Sequence, residues 1–483
     1  MRRAFWSRLG APGRSAPSLA PLAALALAAC TGMTPKPDSR PASDDPSALA
    51  QADVPARLPL PAGTPEAGDD APAPDWRAQV RSPWLRGLVE AALAHNRDLR
   101  VALLNVERAQ AQVALANANR WPTLGLGANA ARAPNSQGKE ATTLSAGVQL
   151  STWEIDLFGR LSSLSDAAKA QLLASVAGRR AAELAVTAAV LQAALVLQTD
   201  TELLDLTRRT LASRQDSLKL TALRESAGAA SQLDLQAQVA LAAQAQAALA
   251  QLTRQQAQDR NALALLTGQP LTDTTFAAAA APSPSLADEA WFAEVPVGLS
   301  SDVLLRRPDV VQAEQALRAA QANIAAARAA FWPAITLTAQ AGQASPQLAG
   351  LFQGGHFAYT LAANAALAIF DGGRRQAGVD SAVAAQRIAQ AQYEQAIQSA
   401  FKDTADALDG LATWREQLTA QRAQRDAARE TDRLVSLKAS QGAASALEQQ
   451  DAQRSLLATE QAVLQARLGE LANRLALFKA LGG

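Results

Sequence analysis

The fold is decided at Trp121-Pro122-Thr123-Leu124-Gly125-Leu126-Gly127-Ala128-Asn129, where a helical pattern stops and an alternating pattern begins. Pro122 ends the helix because proline has no backbone N–H to donate and its ring clashes with the preceding turn. From Leu124 onward, apolar residues alternate with small or polar ones, which is typical of a strand with two unlike faces. The arrangement recurs 211 residues later at Trp332-Pro333-Ala334-Ile335-Thr336-Leu337. The sequence therefore predicts the same helix-to-strand junction twice.

The two junctions belong to two copies of one element, residues 89–268 and 300–482. Beyond the junctions the spacing becomes 214 residues and stays constant, so that Gly228-Ala229-Ala230-Ser231 matches Gly442-Ala443-Ala444-Ser445. Solenoid repeats span only about 20–50 residues. We therefore interpret the element as a duplicated, domain-sized unit and expect internal pseudo-symmetry. We assign residues 76–299 to the first repeat with its linker and residues 300–483 to the second.

The N-terminus, residues 1–29, is a predicted signal peptide. Four arginines precede a short apolar run from Leu19 to Ala29, the order of charge and hydrophobicity that such peptides share. The run ends in Leu27-Ala28-Ala29-Cys30, which resembles a bacterial lipobox, a motif whose cysteine is lipidated and becomes the first residue of the mature chain. An ordinary signal peptide cut nearby, with Cys30 incidental, is the alternative. Thr31 favours the outer membrane by analogy with enteric lipoproteins.

Residues 30–75 form a predicted tether between the lipid and the body of the protein. Ten prolines fall within residues 31–75, and no hydrophobic period is present there. Proline-rich segments are extended and semi-rigid. We expect the body to begin near Trp76 or Trp84.

Helical patterns flank the alternating segments in both repeats. A proline-free stretch of about 60 residues would be roughly 90 Å long at about 1.5 Å per residue. Aromatic residues make up only 4% of the chain, and an alanine-rich composition suits helices that pack closely side by side. We expect the most apolar stretch, Ala185–Leu197, to belong to a coiled coil and not to cross a membrane. The predicted helices are Leu85–Arg120, Leu161–Leu223, Ser231–Leu266 and Gln376–Leu437, followed by a helix that returns to Leu481.

Two alternating stretches in each repeat predict a β-hairpin, and turn residues 134–138 separate the first pair. A tilted strand of about ten residues crosses a bilayer, and an apolar face opposite a small or polar face suits a membrane barrel. A water-soluble β-subdomain on a helical stalk is the alternative. The predicted strands are Leu124–Asn129, Leu144–Ser151, Ile335–Gln340 and Tyr359–Ile369.

The number of strands demands several copies of the chain. Four strands cannot close a barrel, and open strand edges cannot lie in lipid. Helix pairs of this length also lack a globular core and need neighbours along their whole length. A barrel above a hollow cylinder of helices meets both demands, and the strand count leaves a dimer, a trimer and a tetramer open.

Composition argues against several classes of function. The formal net charge of +1 gives no indication of a nucleic-acid partner. With two histidines and one cysteine, the chain can form neither a metal site with several cysteines nor an internal disulfide. No catalytic or phosphate-loop pattern surrounds His95 or His356. We therefore expect no enzyme, no metal and no cofactor other than the lipid on Cys30.

Several long motifs in order resemble those of the outer membrane efflux proteins. Val297–Val310, which includes Arg306-Arg307-Pro308-Asp309, and the following Ala327–Pro333 are very similar to that family's signature. They indicate the TolC-like outer membrane factors, specifically the NodT-type lipoprotein branch that works with resistance-nodulation-division pumps. Ser300 stands where the family usually has proline. Further matches to the branch are Trp153–Arg160, Ile369–Arg374 and Leu477–Gly483.

This resemblance implies a homotrimer that is mainly α-helical. Four strands per chain would form a twelve-stranded transmembrane β-barrel above a mixed equatorial belt and a long periplasmic α-helical barrel. The protein would be anchored in the outer membrane, extend into the periplasm and act as a passive exit duct for drugs and toxic compounds. A periplasmic adaptor and an inner-membrane pump of the resistance-nodulation-division class would be its partners.

Two other functions remain open on the sequence. One is the outer channel of a type I protein secretion system, and the other is a lipid-anchored periplasmic coiled-coil scaffold without a pore. The lipobox and the Arg-Arg-Pro-Asp motif favour efflux over secretion.

The turns between the long helices are candidate docking sites. Gly228 and Gly442 permit a tight reversal, and Ser231 and Ser445 can cap the returning helices. The turn geometry explains these residues fully. The resemblance adds that the same tips dock the adaptor.

The resemblance also places a periplasmic gate just beyond the second tip. Leu447 and Asp451 lie one helical turn apart on the same face. They would form an apolar ring and an acidic ring around the axis, with Arg454 contacts that hold the tips inward. A solvated coil face is the alternative. Arg306, Arg307 and Asp309 are explained by their position at the start of a helix, and so is Asp98 in the first repeat.

Overall fold

The computed structural model describes residues 76–134, 138–270, 301–353 and 356–482, together with positions 52, 55, 136, 285–287 and 291–293. The predicted signal peptide, Cys30, Ser300 and nearly all of the predicted tether lie outside these residues. The described chain divides into two units. Residues 115–167 and 321–383 form the sheet unit, and the remaining described residues form the helical unit.

Each repeat contains the elements that its pattern predicts, in the same order. Both long helices have 67 residues, which corresponds to roughly 100 Å at about 1.5 Å per residue. Short 3₁₀ helices at Ser301–Arg306 and Leu348–Phe352 precede α6 and β4. The helices in the described residues are α1 Trp76–Gln79, α2 Pro83–His95, α3 Arg97–Ala118, α4 Arg160–Ser226, α5 Gln232–Thr267, α6 Pro308–Ala329, α7 Arg374–Ser440 and α8 Ala446–Ala480. The strands are β1 Leu124–Pro134, β2 Glu140–Glu154, β3 Ala334–Ser345 and β4 Phe357–Ala366.

The prediction of one continuous helix from Leu85 to Arg120 is wrong, because the chain breaks at Asn96. This residue has an extended backbone with φ −61° and ψ 133°. Its side-chain oxygen accepts hydrogen bonds from the backbone N–H groups of Asp98 and Leu99, at 2.8 and 3.1 Å. An asparagine that accepts such bonds caps a helix start. Its amide also donates to the carbonyl of Leu266 at 2.8 Å, so the break ties α2 and α3 to the end of α5.

The four strands form one antiparallel sheet in the order β1-β2-β3-β4. Both predicted hairpins are confirmed, and the two repeats join through the pairing of β2 with β3. The last strand ends at Ala366, three residues short of the predicted end at Ile369. Ile369 is 95% exposed in a segment without strand pairing.

The pairing register separates the sheet into an apolar face and a face of small and polar residues. One row of directly paired residues is Leu126, Val148, Ala341 and Tyr359. The next row is Gly127, Gly147, Gly342 and Ala358. Successive residues point to opposite faces, so the two rows lie on opposite sides. Leu126 is 86% exposed and Tyr359 is 77% exposed, so the apolar face needs a covering of lipid.

The small-residue face is pressed together where β2 and β3 meet. A Cβ atom added at Gly147 would lie 2.3 Å from the carbonyl oxygen of Ala341. A Cβ atom at Gly342 would lie 2.2 Å from the carbonyl oxygen of Ala146. The two glycines are direct partners, so the strands approach each other on this side. A sheet that curls in this direction has its small and polar residues inside and its apolar residues outside.

The helical unit has two hydrophobic clusters. The larger cluster packs α2 and the Trp291–Phe292 segment against residues Val186–Leu197 of α4. The smaller cluster packs the 3₁₀ helix before α6 against α7 and the end of α8. One helix of the described residues, α4, has an 18-residue window with a mean hydropathy of 1.6, apolar enough for a membrane span, and 44% of that window is buried within the protein. Packing in the larger cluster accounts for an apolar stretch in this helix.

Gly147→Ala should destabilise the sheet, because its new methyl group meets backbone that cannot move without breaking strand pairing. Overpacking of this kind typically costs about 1–3 kcal/mol. The matched control is Gly125→Ala, because a Cβ atom at Gly125 meets nothing within 4 Å. Thermal unfolding in mild detergent should show a lower midpoint for Gly147→Ala alone. Equal midpoints for the two variants would contradict the close approach of β2 and β3.

Candidate helix tips and gate

The two turns at the ends of the long helices are built in the same way. Gly228 and Gly442 both have φ of +73°, a left-handed conformation that glycine adopts without strain. The N–H of Ala229 donates to the carbonyl of Arg224 at 2.7 Å, and the N–H of Ala443 donates to that of Lys438 at 2.8 Å. These six-residue closures are Schellman motifs, which satisfy carbonyl groups at a helix end.

The returning helices start with matching capping boxes. The Ser231 hydroxyl accepts from the backbone N–H of Asp234 at 3.1 Å, and the Asp234 carboxylate accepts from the backbone N–H of Ser231. Ser445 and Glu448 make the same pair of bonds. The predicted capping role of both serines is therefore confirmed. Hydrogen bonds from the Ser231 side chain and backbone lower the pKa of Asp234, and bonds from the Ser445 backbone and side chain lower the pKa of Glu448.

The three predicted gate residues follow the second tip on α8. Leu447 is 64% exposed. Asp451 and Arg454 form an ion pair one turn further along the same helix, and both side chains are more than half exposed. Within a single chain, this face of α8 therefore offers an unburied apolar side chain and an exposed ion pair for contact with other copies.

A buried arginine lies beside this face. Arg214 of α4 is 4% exposed, and its guanidinium donates to the side-chain oxygen of Gln453 on α8 at 2.9 Å. Burial lowers the pKa of Arg214, and the charge of Arg454 lowers it further, whereas Asp432 opposes the change. Arg214 thus links the first repeat to the turn of helix that carries the predicted gate. Sequence reasoning missed it because the matching position in the second repeat is Ala428.

Arg307 and Asp309 of the Arg-Arg-Pro-Asp motif have structural roles. Arg307 is 6% exposed and holds Asp309 by two hydrogen bonds, of 2.7 and 3.1 Å, and the carbonyl of Ala480 by one of 3.0 Å. It therefore fastens the end of α8 to the start of α6. Burial alone would raise the pKa of Asp309, but the hydrogen bonds and charge of Arg307 outweigh burial and the pKa lies below its ordinary value.

Aspartates start both long helices. The Asp156 carboxylate accepts from the N–H groups of Leu161 and Ser162 at 3.1 and 2.7 Å at the start of α4. Asp371 accepts from the N–H of Arg375 at 3.2 Å at the start of α7. A carboxylate at the positive end of a helix dipole is stabilising, which explains why an Asp precedes the Gly-Arg pair in each repeat.

The described residues contain no group of three or more His, Cys, Asp and Glu side chains that could hold a metal ion. His95 contacts the carbonyl of Ala91 on its own helix at 3.0 Å. The candidate sites are the two tips and the helix face of α8.

Comparison with known proteins agrees with this architecture. The family model for outer membrane efflux proteins matches residues 88–269 and 299–483, one match for each repeat. The chain belongs to the outer membrane efflux protein family.

Two relatives and one solved structure show how much of the chain the similarity covers. The toluene efflux pump outer membrane protein TtgC of Pseudomonas putida is 38% identical over 433 residues, which cover 88% of each chain. The outer membrane protein OprJ of Pseudomonas aeruginosa is 39% identical over 416 residues, 85% of this chain and 86% of OprJ. The open-state MtrE outer membrane channel of Neisseria gonorrhoeae superposes with a TM-score of 0.78 at 35% identity, covering 88% of this chain and 95% of MtrE.

These likenesses confirm the expected fold class, a mainly helical outer membrane channel with four strands per chain, and the expected location in the outer membrane. They also agree with the duplication, because the two family matches fall on the two repeats. The predicted docking and gating roles of individual residues stay predictions.

One pair of carboxyl groups in this efflux channel was not predicted by any pattern in the sequence. The carboxyl groups of Asp200 on α4 and Asp259 on α5 lie close enough to interact, and one oxygen of Asp259 is buried without a hydrogen-bond partner. Burial, the bond to Asp259 and the charge of Asp259 raise the pKa of Asp200 to about 6. The matching residues in the second repeat are Trp414 and Asn473, so the duplication does not reveal the pair.

The Asp200–Asp259 pair should make the free energy of unfolding depend on pH. Because Asp200 binds its proton more tightly in the folded state, stability falls as pH rises from about 4 to about 6. Asp200→Asn removes the titrating group but keeps a hydrogen-bonding partner for Asp259. The thermal midpoint of Asp200→Asn minus that of the native protein should therefore increase as the pH rises across this range. A difference that does not change with pH would contradict the raised pKa of Asp200.

Proposed function

We propose that the protein is the outer membrane channel of a tripartite efflux pump, a passive exit duct for small drugs and toxic compounds. The observation that carries this proposal is the four-stranded sheet with an apolar face and two open edges, in a chain with two helices of 67 residues, each roughly 100 Å long. The efflux of toluene, named for the TtgC relative, supports small apolar molecules as cargo. The chain supplies a conduit and no chemistry, so a partner must supply the energy.

The strand count favours three copies. Four strands alternate in direction, so β4 of one copy can pair antiparallel with β1 of the next, and the ladder continues without a mismatch. Two copies would give eight strands, and a barrel of about eight strands is filled by its own side chains. Three copies give twelve strands, and the glycine and alanine row of the inner face leaves room for a lumen. A homotrimer is therefore the smallest assembly that forms a duct.

The partners follow from the tips. A periplasmic adaptor would dock at Gly228, Ser231, Gly442 and Ser445, and an inner-membrane pump of the resistance-nodulation-division class would deliver the cargo. A Cβ atom at Gly228 or Gly442 would meet nothing within 4 Å, so the backbone there is open to a close approach. The two equivalent tips of each chain give a trimer six similar docking points.

The anchor at Cys30 is also part of the proposal. The lipobox-like Leu27-Ala28-Ala29-Cys30 supports a lipid on this cysteine, and the barrel would span the membrane independently. Metabolic labelling with palmitate should mark the native chain and not Cys30→Ser. Absence of label from the native chain would exclude the anchor.

The function is tested on the purified protein and in cells. In mild detergent the mass by light scattering should be that of three chains, and planar bilayers should show single-channel conductance. Deletion of the gene should increase accumulation of a fluorescent pump substrate, and the native chain should reverse this. A monomer in detergent, or a trimer without conductance, would overturn the proposal.

The gate is tested by replacing Leu447 and Asp451 together with alanine. Loss of three apolar side chains widens the constriction of a trimer, and loss of three carboxylates removes a cation-attracting ring. Resting conductance should therefore rise and cation selectivity should fall. The matched control is Leu233→Ala at the first tip, where Leu233 is 79% exposed and Ala237 replaces the acidic residue. If the double variant stays trimeric with unchanged conductance and selectivity, this helix face is merely solvated.

A further inference from the structure

Five arginines converge on one cavity of the helical unit. The cavity has a volume of about 700 Å³, within the range of about 300–1,000 Å³ common for small-molecule sites. Phe292, Ala293 and Leu418 form an apolar wall, and Thr419 adds a hydroxyl group. The arginines are Arg81 before α2, Arg415 and Arg422 on α7, and Arg467 and Arg474 on α8.

The charges in this arginine pocket do not balance among the described residues. Glu470 is the one carboxylate among the residues that line it. Its oxygens accept from Arg467 and from Arg474, the latter at 2.7 Å. Arg415 and Arg422 form no side-chain hydrogen bond or ion pair in the described structure, and Arg81 forms none through its side chain. Among the described lining residues, five guanidinium groups face one carboxylate, an excess of four positive charges.

The excess of positive charge in the arginine pocket is stabilised by a negative counter-charge. Arginine keeps its charge at any physiological pH, so the cluster cannot relieve its repulsion by losing protons. The pocket is also held in place, because Arg467 is 6% exposed and donates to the carbonyl of Leu286 at 3.0 Å. Arg81 and Arg415 are exposed whereas Arg467 is buried, so an anion can reach the cluster from solvent and lower the repulsion among its like charges.

The pocket is specific to the second repeat. At the matching positions of the first repeat, Thr201, Thr253 and Gln256 replace Arg415, Arg467 and Glu470. There the Gln256 amide donates to the Thr201 hydroxyl at 2.9 Å. Arg208, which matches Arg422, is paired with Asp205 at 2.9 Å. Arg260 matches Arg474, so the first repeat keeps two of the four arginines that α7 and α8 contribute to the pocket and lacks the other two.

We propose that the arginine pocket binds a small molecule that carries two or more phosphate groups. Guanidinium groups form forked, two-point hydrogen bonds with phosphate oxygens, and several phosphates are needed to balance four charges. The Thr419 hydroxyl can donate to the same oxygens, and the wall of Phe292 and Leu418 can pack against an organic portion. The phosphates could belong to a free solute or to the headgroup of a lipid.

Inorganic pyrophosphate is the first probe, measured by calorimetry with the full-length protein in non-ionic detergent. It should bind saturably, with one site per chain. Arg415→Gln combined with Arg422→Gln should weaken binding by about tenfold or more. The matched control, Arg208→Gln, should bind as the native protein does. Absence of saturable binding, or equal binding by the native protein and the double variant, would overturn the proposal.

A second variant and a second ligand sharpen the test. If the double variant does not fold, Arg81→Gln, at the exposed edge of the pocket, should weaken binding in the same direction, and an unchanged affinity would overturn the proposal. Micelles containing lipid A, which carries two phosphates, form the lipid arm. Competition between lipid A and pyrophosphate supports the site with a lipid ligand, and pyrophosphate binding without competition supports it with a free solute.

Discussion

The unpaired edges of β1 and β4 are the constraint on which the rest of the molecule depends. Backbone N–H and C=O groups in lipid must all be hydrogen-bonded within protein, and a sheet of four strands leaves two rows of them open. Only further copies of the same sheet can close the ladder without a change of direction. In the proposed homotrimer, β4 of each copy would pair with β1 of the next, and every strand of the sheet would then have two neighbours.

Glycine is the residue that makes closure possible. Gly147 and Gly342 lie opposite each other on the face where the strands crowd together, and a side chain at either position would hold the sheet open. Leu126 and Tyr359, one residue away along their strands from this row, point to the other face and are exposed. Curvature and hydrophobicity therefore act in the same direction, since the sheet bends away from the surface that lipid covers.

Much of this fold could be predicted from the sequence, because its signals are periodic and occur twice. The prolines at 122 and 333, the alternating strands and the Gly-to-Ser turns each have a local cause, and the structure confirms the elements that they predict. The break at Asn96 was missed because the helical period continues across it; Asn96 caps α3 locally and is also held by a tertiary bond to Leu266. Arg214, the Asp200–Asp259 pair and the arginine pocket depend on contacts between helices and have no full equivalent in the other repeat, so neither spacing nor duplication indicates them.

Comparison of the two repeats distinguishes residues that the backbone requires in both from residues that occur in only one. Both tips keep the same left-handed glycine, the same closing hydrogen bonds and a capping box, because each long helix must reverse in the same way. Beyond the caps the two repeats diverge in charge: Asp451 stands where the first repeat has Ala237, and Arg415 stands where it has Thr201. In a closed ring of alternating repeats, a charge carried by one repeat recurs only at every second helix pair. The proposed trimer would therefore contain six helix pairs of similar backbone but only three copies of each of these charges.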